Sequence, residues 1–194
     1  MRSILTAFSI CAFAVSAHAE VLNERDARRA LFSAKGHAVQ VAPGLTELQQ
    51  KIATEIIPLM AQQLRQPVRY YAAIAYSPDD GMVHDSLQAA MNFHTPGAAD
   101  AAAIAACNRL RSKGNKQCEV AARVVPRKFK TRALTLSIDA TVGFERRYRR
   151  ASAPKAFAIS KTSGSWGMGR DDQSAIKSCE SGAAPGDCEI VIRD

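Results

Sequence analysis

A chain of 194 residues, 47% hydrophobic and 23% charged, is too short for several large domains and too apolar to remain disordered. Its formal charge of +8 is unevenly spread. Between positions 123 and 150 nine basic residues face two acidic ones, so with Arg2 set aside the rest of the chain is neutral, which excludes a generally basic surface.

Residues 1–19 read as an export signal. Arg2 supplies the positive start, residues 4–15 an apolar run too short to span a bilayer, and Ala17-His18-Ala19 a small-residue cleavage site. Cys11 lies inside the apolar run, which argues against a lipoprotein and leaves four of the five cysteines after Glu20. An even set in an oxidising compartment predicts two disulfides.

Residues 23–32 predict a short helix, with Asn23 as cap and Asp26 in the first turn. Residues 39–41 are extended. Thr46-Glu47-Leu48-Gln49 has the form of a capping box, and Leu48, Ile52, Ile56, Met60 and Leu64 mark one face of a longer helix that Pro58 should kink or split. Residues 68–76 predict a strand, Pro78-Asp79-Asp80-Gly81 a turn, and residues 82–85 the second strand of a hairpin. Thr95-Pro96 opens an alanine-rich helix over residues 97–111, stopped by Gly114. Strands follow at residues 118–125 and at Leu134, Leu136 and Ile138, and Asp139 is expected to cap a basic helix carrying Phe144 and Tyr148 on one face. The chain closes with strands at residues 156–160 and 166–169, a helix at 172–180 and a strand at 188–192.

That closing series restates an earlier one. Ile74-Ala75-Tyr76-Ser77 corresponds to Phe157-Ala158-Ile159-Ser160, and Ala103-Ile104 with Cys107 and Cys118 corresponds to Ala175-Ile176 with Cys179 and Cys188. The repeat pairs Cys107 with Cys118 and Cys179 with Cys188, whose spacings are longer than those of zinc clips. It also places extra residues of the first copy between His84 and Pro96, and sets Met82-Val83 where the second copy has Trp166-Gly167.

The expected fold class is α+β. Duplicated β-hairpin–helix–strand units form one antiparallel or mixed sheet with helices packed on it, preceded by an N-terminal helical segment. The expected divisions are the signal over 1–19, that segment over 20–67, a first repeat with its inserted loop over 68–138, and the basic helix with the second repeat over 139–194. Residues 20–194 make one compact unit.

The Ala-Ile-Ala-x-Ser strand, Gly turn, Trp-Gly strand, alanine-rich helix ending in Cys and Cys-led strand resemble a small bacterial exported domain, domain of unknown function 4189. The resemblance covers residues 72–125 and 155–192. It implies a fold and an exported setting, and no activity.

Three sets of residues could carry function. His84, Asp85 and His94 bracket the inserted loop and would serve a small envelope hydrolase, although their spacing matches no helix-borne metal motif. Asp79 and Asp80 read as turn residues, and Ser163-Gly164-Ser165 lacks the strand-to-helix setting of a nucleophile elbow. Trp166, the single tryptophan, is either a partner anchor or a packed core residue. Arg146, Arg147, Arg149 and Arg150 around Tyr148 could grip a nucleic acid, a cell-wall or lipopolysaccharide phosphate, or an acidic protein face. The leading expectation is an exported, non-enzymatic binding or inhibitor-type protein of the bacterial envelope, needing no cofactor or metal. Its partner would be an envelope or extracellular protein or an anionic polymer. The alternatives are the hydrolase and polyanion binding through the basic segment from Arg127 to Arg150.

Overall fold

The computed structural model describes residues 20–63 and 65–194; the expected export signal and Leu64 lie outside the described residues. The fold is α+β, as its alternating strand and helix patterns require. Its helices are α1 (Glu24–Ala30), α2 (Glu47–Gln63), α3 (Pro96–Leu110), α4 (Ile138–Arg146) and α5 (Asp172–Glu180). Its strands are β1 (His37–Val41), β2 (Ala72–Tyr76), β3 (Gln88–Ala90), β4 (Glu119–Pro126), β5 (Ala156–Ser160), β6 (Trp166–Gly169) and β7 (Cys188–Arg193).

Two antiparallel sheets replace the single sheet expected, one ordered β1-β4-β2-β3 and the other β6-β5-β7. The reason lies in the edges. β2 and β5 are flanked on both sides by strands of their own sheet, β1 occupies the outer edge of β4, and Leu22 bridges to Ile192 on β7. The N-terminal segment is therefore not only helical, because it supplies an edge strand to the first sheet and a bridge to the second.

Both sheets hold a strand–strand–helix–strand unit, with the last strand beside the first. β2 shifts register between Ile74 and Ala75, and β5 between Phe157 and Ala158, at corresponding places. Cys107 on α3 is bonded to Cys118, and Cys179 on α5 to Cys188 at the start of β7. Each bond thus ties a helix to the strand after it. The ladder partners of β2 and β5 also locate the extra residues of the first unit. Ala73 faces Ala90 as Ala156 faces Gly169, so four extra residues precede β3 and seven follow it. The position matching Trp166 is Leu87, not Met82-Val83.

Each sheet lies between helices. Ala99, Ala103 and Cys107 of α3 cluster with β2 and β4, and Ala53 and Ile57 of α2 join the same sheet's cores. In the second sheet Ala156 and Ala158 meet Ala175 and Cys179 of α5, whereas Phe157 and Ile159 meet Ala140 and Phe144 of α4. Glycine sets the α5 distance: a Cβ on Gly167 would stand 2.2 Å from the Cys179 nitrogen and 2.5 Å from the Ala175 carbonyl oxygen. Only a residue without a side chain lets the helix lie there.

Local signals were mostly followed. Asn23 accepts the Asp26 N–H at 3.0 Å, Thr95 accepts that of Ala98 at 3.1 Å, and Thr46 and Gln49 exchange the bonds of a capping box. Other elements differ. Residues 82–85 are turn rather than strand, the ladder partner of β2 being Gln88–Ala90. Leu134 and Leu136 are buried in the second core without forming a strand, and Ile138 starts α4. Ser137, not Asp139, caps α4 by accepting the Ala140 N–H at 3.2 Å. α2 runs through Pro58 as one helix and buries Ala53 and Ile57, leaving Leu48 68% exposed.

The start of α1 is pinned to the C-terminal residue. Lys155 is buried and its Nζ donates to Glu24 at 2.7 Å, while the Glu24 N–H donates to Asp194 at 3.1 Å. A buried ammonium is tolerated here because it also donates to the carbonyls of Tyr148 and Ala151, each at 3.2 Å.

Candidate functional site

The turn after β2 is held by its own carboxylates. Asp79 accepts the Lys116 N–H at 2.9 Å; Asp80 accepts the Ser112 N–H at 3.1 Å and the Asn115 amide at 2.6 Å. These bonds fasten it to the loop that the Cys107–Cys118 disulfide closes. The Asp80 side chain is 2% exposed. Burial alone would raise its pKa, but the donors from Ser112, Asn115 and Ser86 outweigh it and pull the value down to about 2.

His84 sits beside this anchor with Asp80, not Asp85, as its carboxylate neighbour. Nδ1 accepts the Ser86 N–H at 3.1 Å and lies 3.0 Å from the Ser86 hydroxyl and 3.5 Å from Asp80. A Ser-His-Asp relay needs carboxylate and hydroxyl on opposite ring nitrogens. Here both crowd one nitrogen, which already accepts a backbone proton, and Ser86 is buried. Asp85 is exposed and lends only its carbonyl oxygen to the Gln88 side chain.

His94 is elsewhere in purpose. It is 1% exposed, its Nδ1 accepts the Ser137 N–H at 3.2 Å, and its Nε2–H donates to the Ser165 carbonyl at 2.7 Å. Burial drives its pKa down to about 4, against the smaller opposing effects of the Ser165 bond and of Asp187. Two positions earlier, Asn92 donates to Asp139 at 2.9 Å. The residues following β3 therefore join the first unit to the second, and His94 is not brought into any hydrogen bond with His84 or Asp85.

The arginine run does not form one grip. Tyr148 is fully buried, stacked on Phe144 at 5.7 Å, and its hydroxyl donates to Asp194 at 2.9 Å. Burial, the Asp194 bond and Glu24 all raise its pKa. Its expected place in a binding surface is corrected to the core. Arg149 is taken by Glu145 and Glu24. Arg147 stands 5.5 Å over Trp166, whose ring stacks on Phe157 at 5.2 Å. A Cβ on Gly143 would meet the indole at 2.3 Å, so Trp166 is packed against α4. Arg146, on a different side of α4, lines a cleft with Lys35.

Within residues 123–150, and among the described residues, ion pairs engage Arg123, Asp139, Glu145 and Arg149. Among the described residues, Arg127, Lys128, Lys130, Arg132, Arg146, Arg147 and Arg150 have no carboxylate oxygen within 4.0 Å. Sequence reasoning did not include Arg29 and Lys35 with this basic surface; the charge of the segment after Asn23 was the available signal. Among the described residues there is no group of three or more His, Cys, Asp or Glu placed to hold a metal ion, and no helix long and apolar enough to cross a membrane. Comparison of the chain with family models, curated proteins and solved structures finds no match.

Proposed function

We propose that this is an exported, non-enzymatic binding protein of the bacterial envelope whose ligand is anionic. One observation carries the reading: seven of the nine cations in residues 123–150 have no ion-pair partner among the described residues, while both carboxylates of that segment are already engaged. Unneutralised guanidinium and ammonium groups on a disulfide-tied scaffold attract phosphate and carboxylate groups at low energetic cost, because no native ion pair has to break.

The side chains best suited to chemistry support a binding role. His94 has both ring nitrogens bonded in the interior, and Asp80 and Ser86 are committed to the turn after β2. A small envelope hydrolase would have to work from His84 without them, and turnover abolished in His84→Ala would establish it instead. The same proposal takes the two units as descendants of one duplicated exported domain, supported by their matching topology, bulges and disulfides. Binding of the purified chain from Glu20 onward to an anionic polymer, measured across a salt series, tests it.

A further inference from the structure

We infer, resting on the anion-binding reading above, that the ligand is a linear phosphate-bearing polymer and that its site is a composite of two basic clefts meeting at the turn after α1. The first cleft is lined by Arg29, Lys130 and Arg132, the second by Lys35 and Arg146. The turn between them, residues 30–35, contributes Ala30 to the first and Phe32 to the second. Two stretches far apart in sequence are thereby gathered on one surface: α1 with its turn, and the run from the connector after β4 into α4.

The cations are positioned rather than merely adjacent. The Arg132 guanidinium lies 3.7 Å over the Phe32 ring, and its Nη1 donates to the Ala30 and Leu31 carbonyls at 2.8 and 2.7 Å. That bond pair also satisfies carbonyls at the end of α1, which fixes the cation at the lip of the first cleft. Beside Lys35, the Arg127 side chain packs so closely on Gly36 that a Cβ there would stand 2.7 Å from Nε.

Two carboxylates share these clefts, Asp26 in the first and Glu145 in the second. Asp26 already accepts the Asn23 amide at 2.9 Å and lies 3.7 Å from Arg29, and Glu145 is paired with Arg149. Glu145 is thus compensated from outside the clefts and Asp26 by Arg29 itself, so Lys130, Arg132, Lys35 and Arg146 remain as cations without an ion pair among the described residues. Each cleft keeps one guanidinium, Arg132 or Arg146, beside one ammonium, and guanidiniums bind phosphate oxygens through paired N–H donors, which favours phosphate over isolated carboxylates. Two clefts on one surface reward a chain long enough to occupy both, since the second contact is then intramolecular.

The test uses the chain from Glu20 onward, with long-chain inorganic polyphosphate and tripolyphosphate as probes. The wild type should bind the long chain far more tightly than the short one. Arg29→Gln/Lys130→Gln and Lys35→Gln/Arg146→Gln alter exposed residues only. Each pair should weaken long-chain binding roughly tenfold or more and lessen the salt slope by about two. Equal affinity for both probes, or loss confined to Arg147→Gln/Arg150→Gln, would overturn the composite site and leave anion binding standing. Absence of salt-dependent binding in the wild type would overturn both.

Discussion

The imidazole of His94 donates to the carbonyl oxygen of Ser165 at 2.7 Å and joins residues 71 positions apart across the two sheets. The bond defines the tautomer, because the other ring nitrogen accepts the Ser137 N–H. Neutral His94 is thus built into the junction between the units.

Its depressed pKa makes stability depend on pH. The unfolded chain takes up a proton near the ordinary value of 6.5, whereas the folded chain resists until about 4, so acid favours unfolding between them. About 3 kcal/mol should be lost as pH falls through that window. Asp80, depressed from 3.8 to about 2, contributes stability that is lost only below the window. Denaturant titrations at several pH values should show the fall, and His94→Gln should be less stable at neutral pH but lack that component. A pH-independent difference between the two proteins would refute the assignment.

Gly167 and Gly97 should respond oppositely to alanine. At Gly167 the added methyl meets the backbone of α5 at 2.2 Å, and the helix must lift from β6; the expected loss is about 3 kcal/mol or more. At Gly97 nothing lies within 4 Å, and alanine in the first turn of α3 should add up to about 1 kcal/mol. Chemical denaturation of the two variants measures the contrast.

Removing the Cys107–Cys118 bond as a serine pair frees an eleven-residue separation. The expected cost is roughly 3 kcal/mol, with faster amide exchange in residues 112–116, which Asp79 and Asp80 hold. Thermal unfolding and hydrogen exchange read the two effects separately.

Much of this architecture was legible where chemistry is local. Asn23, Thr95 and the Thr46–Gln49 pair cap helices because their side chains reach orphan amides, and the repeat paired the cysteines. Composition misled where packing decides. Met82 and Val83 look more strand-like than Gln88, Ala89 and Ala90, yet small residues suit β3 because α3 packs close to it. A four-residue spacing drifts by about 40° per step on a helix, so the stripe drawn from Leu48 to Met60 crosses faces instead of following one. The same geometry turns adjacent residues about 100° apart, which is why Arg146 and Arg147 serve different surfaces. The charge of the basic segment could be read from sequence, but its junction with Arg29 and Lys35 required the fold.

Anion binding by the two clefts stands or falls on the salt dependence of binding between the purified chain and long-chain polyphosphate. The logarithm of the affinity should fall linearly with the logarithm of salt concentration, with a slope of about −3.5 to −4.5 for the five cations lining the two clefts. An affinity unchanged by salt, or no binding at low salt, would contradict it.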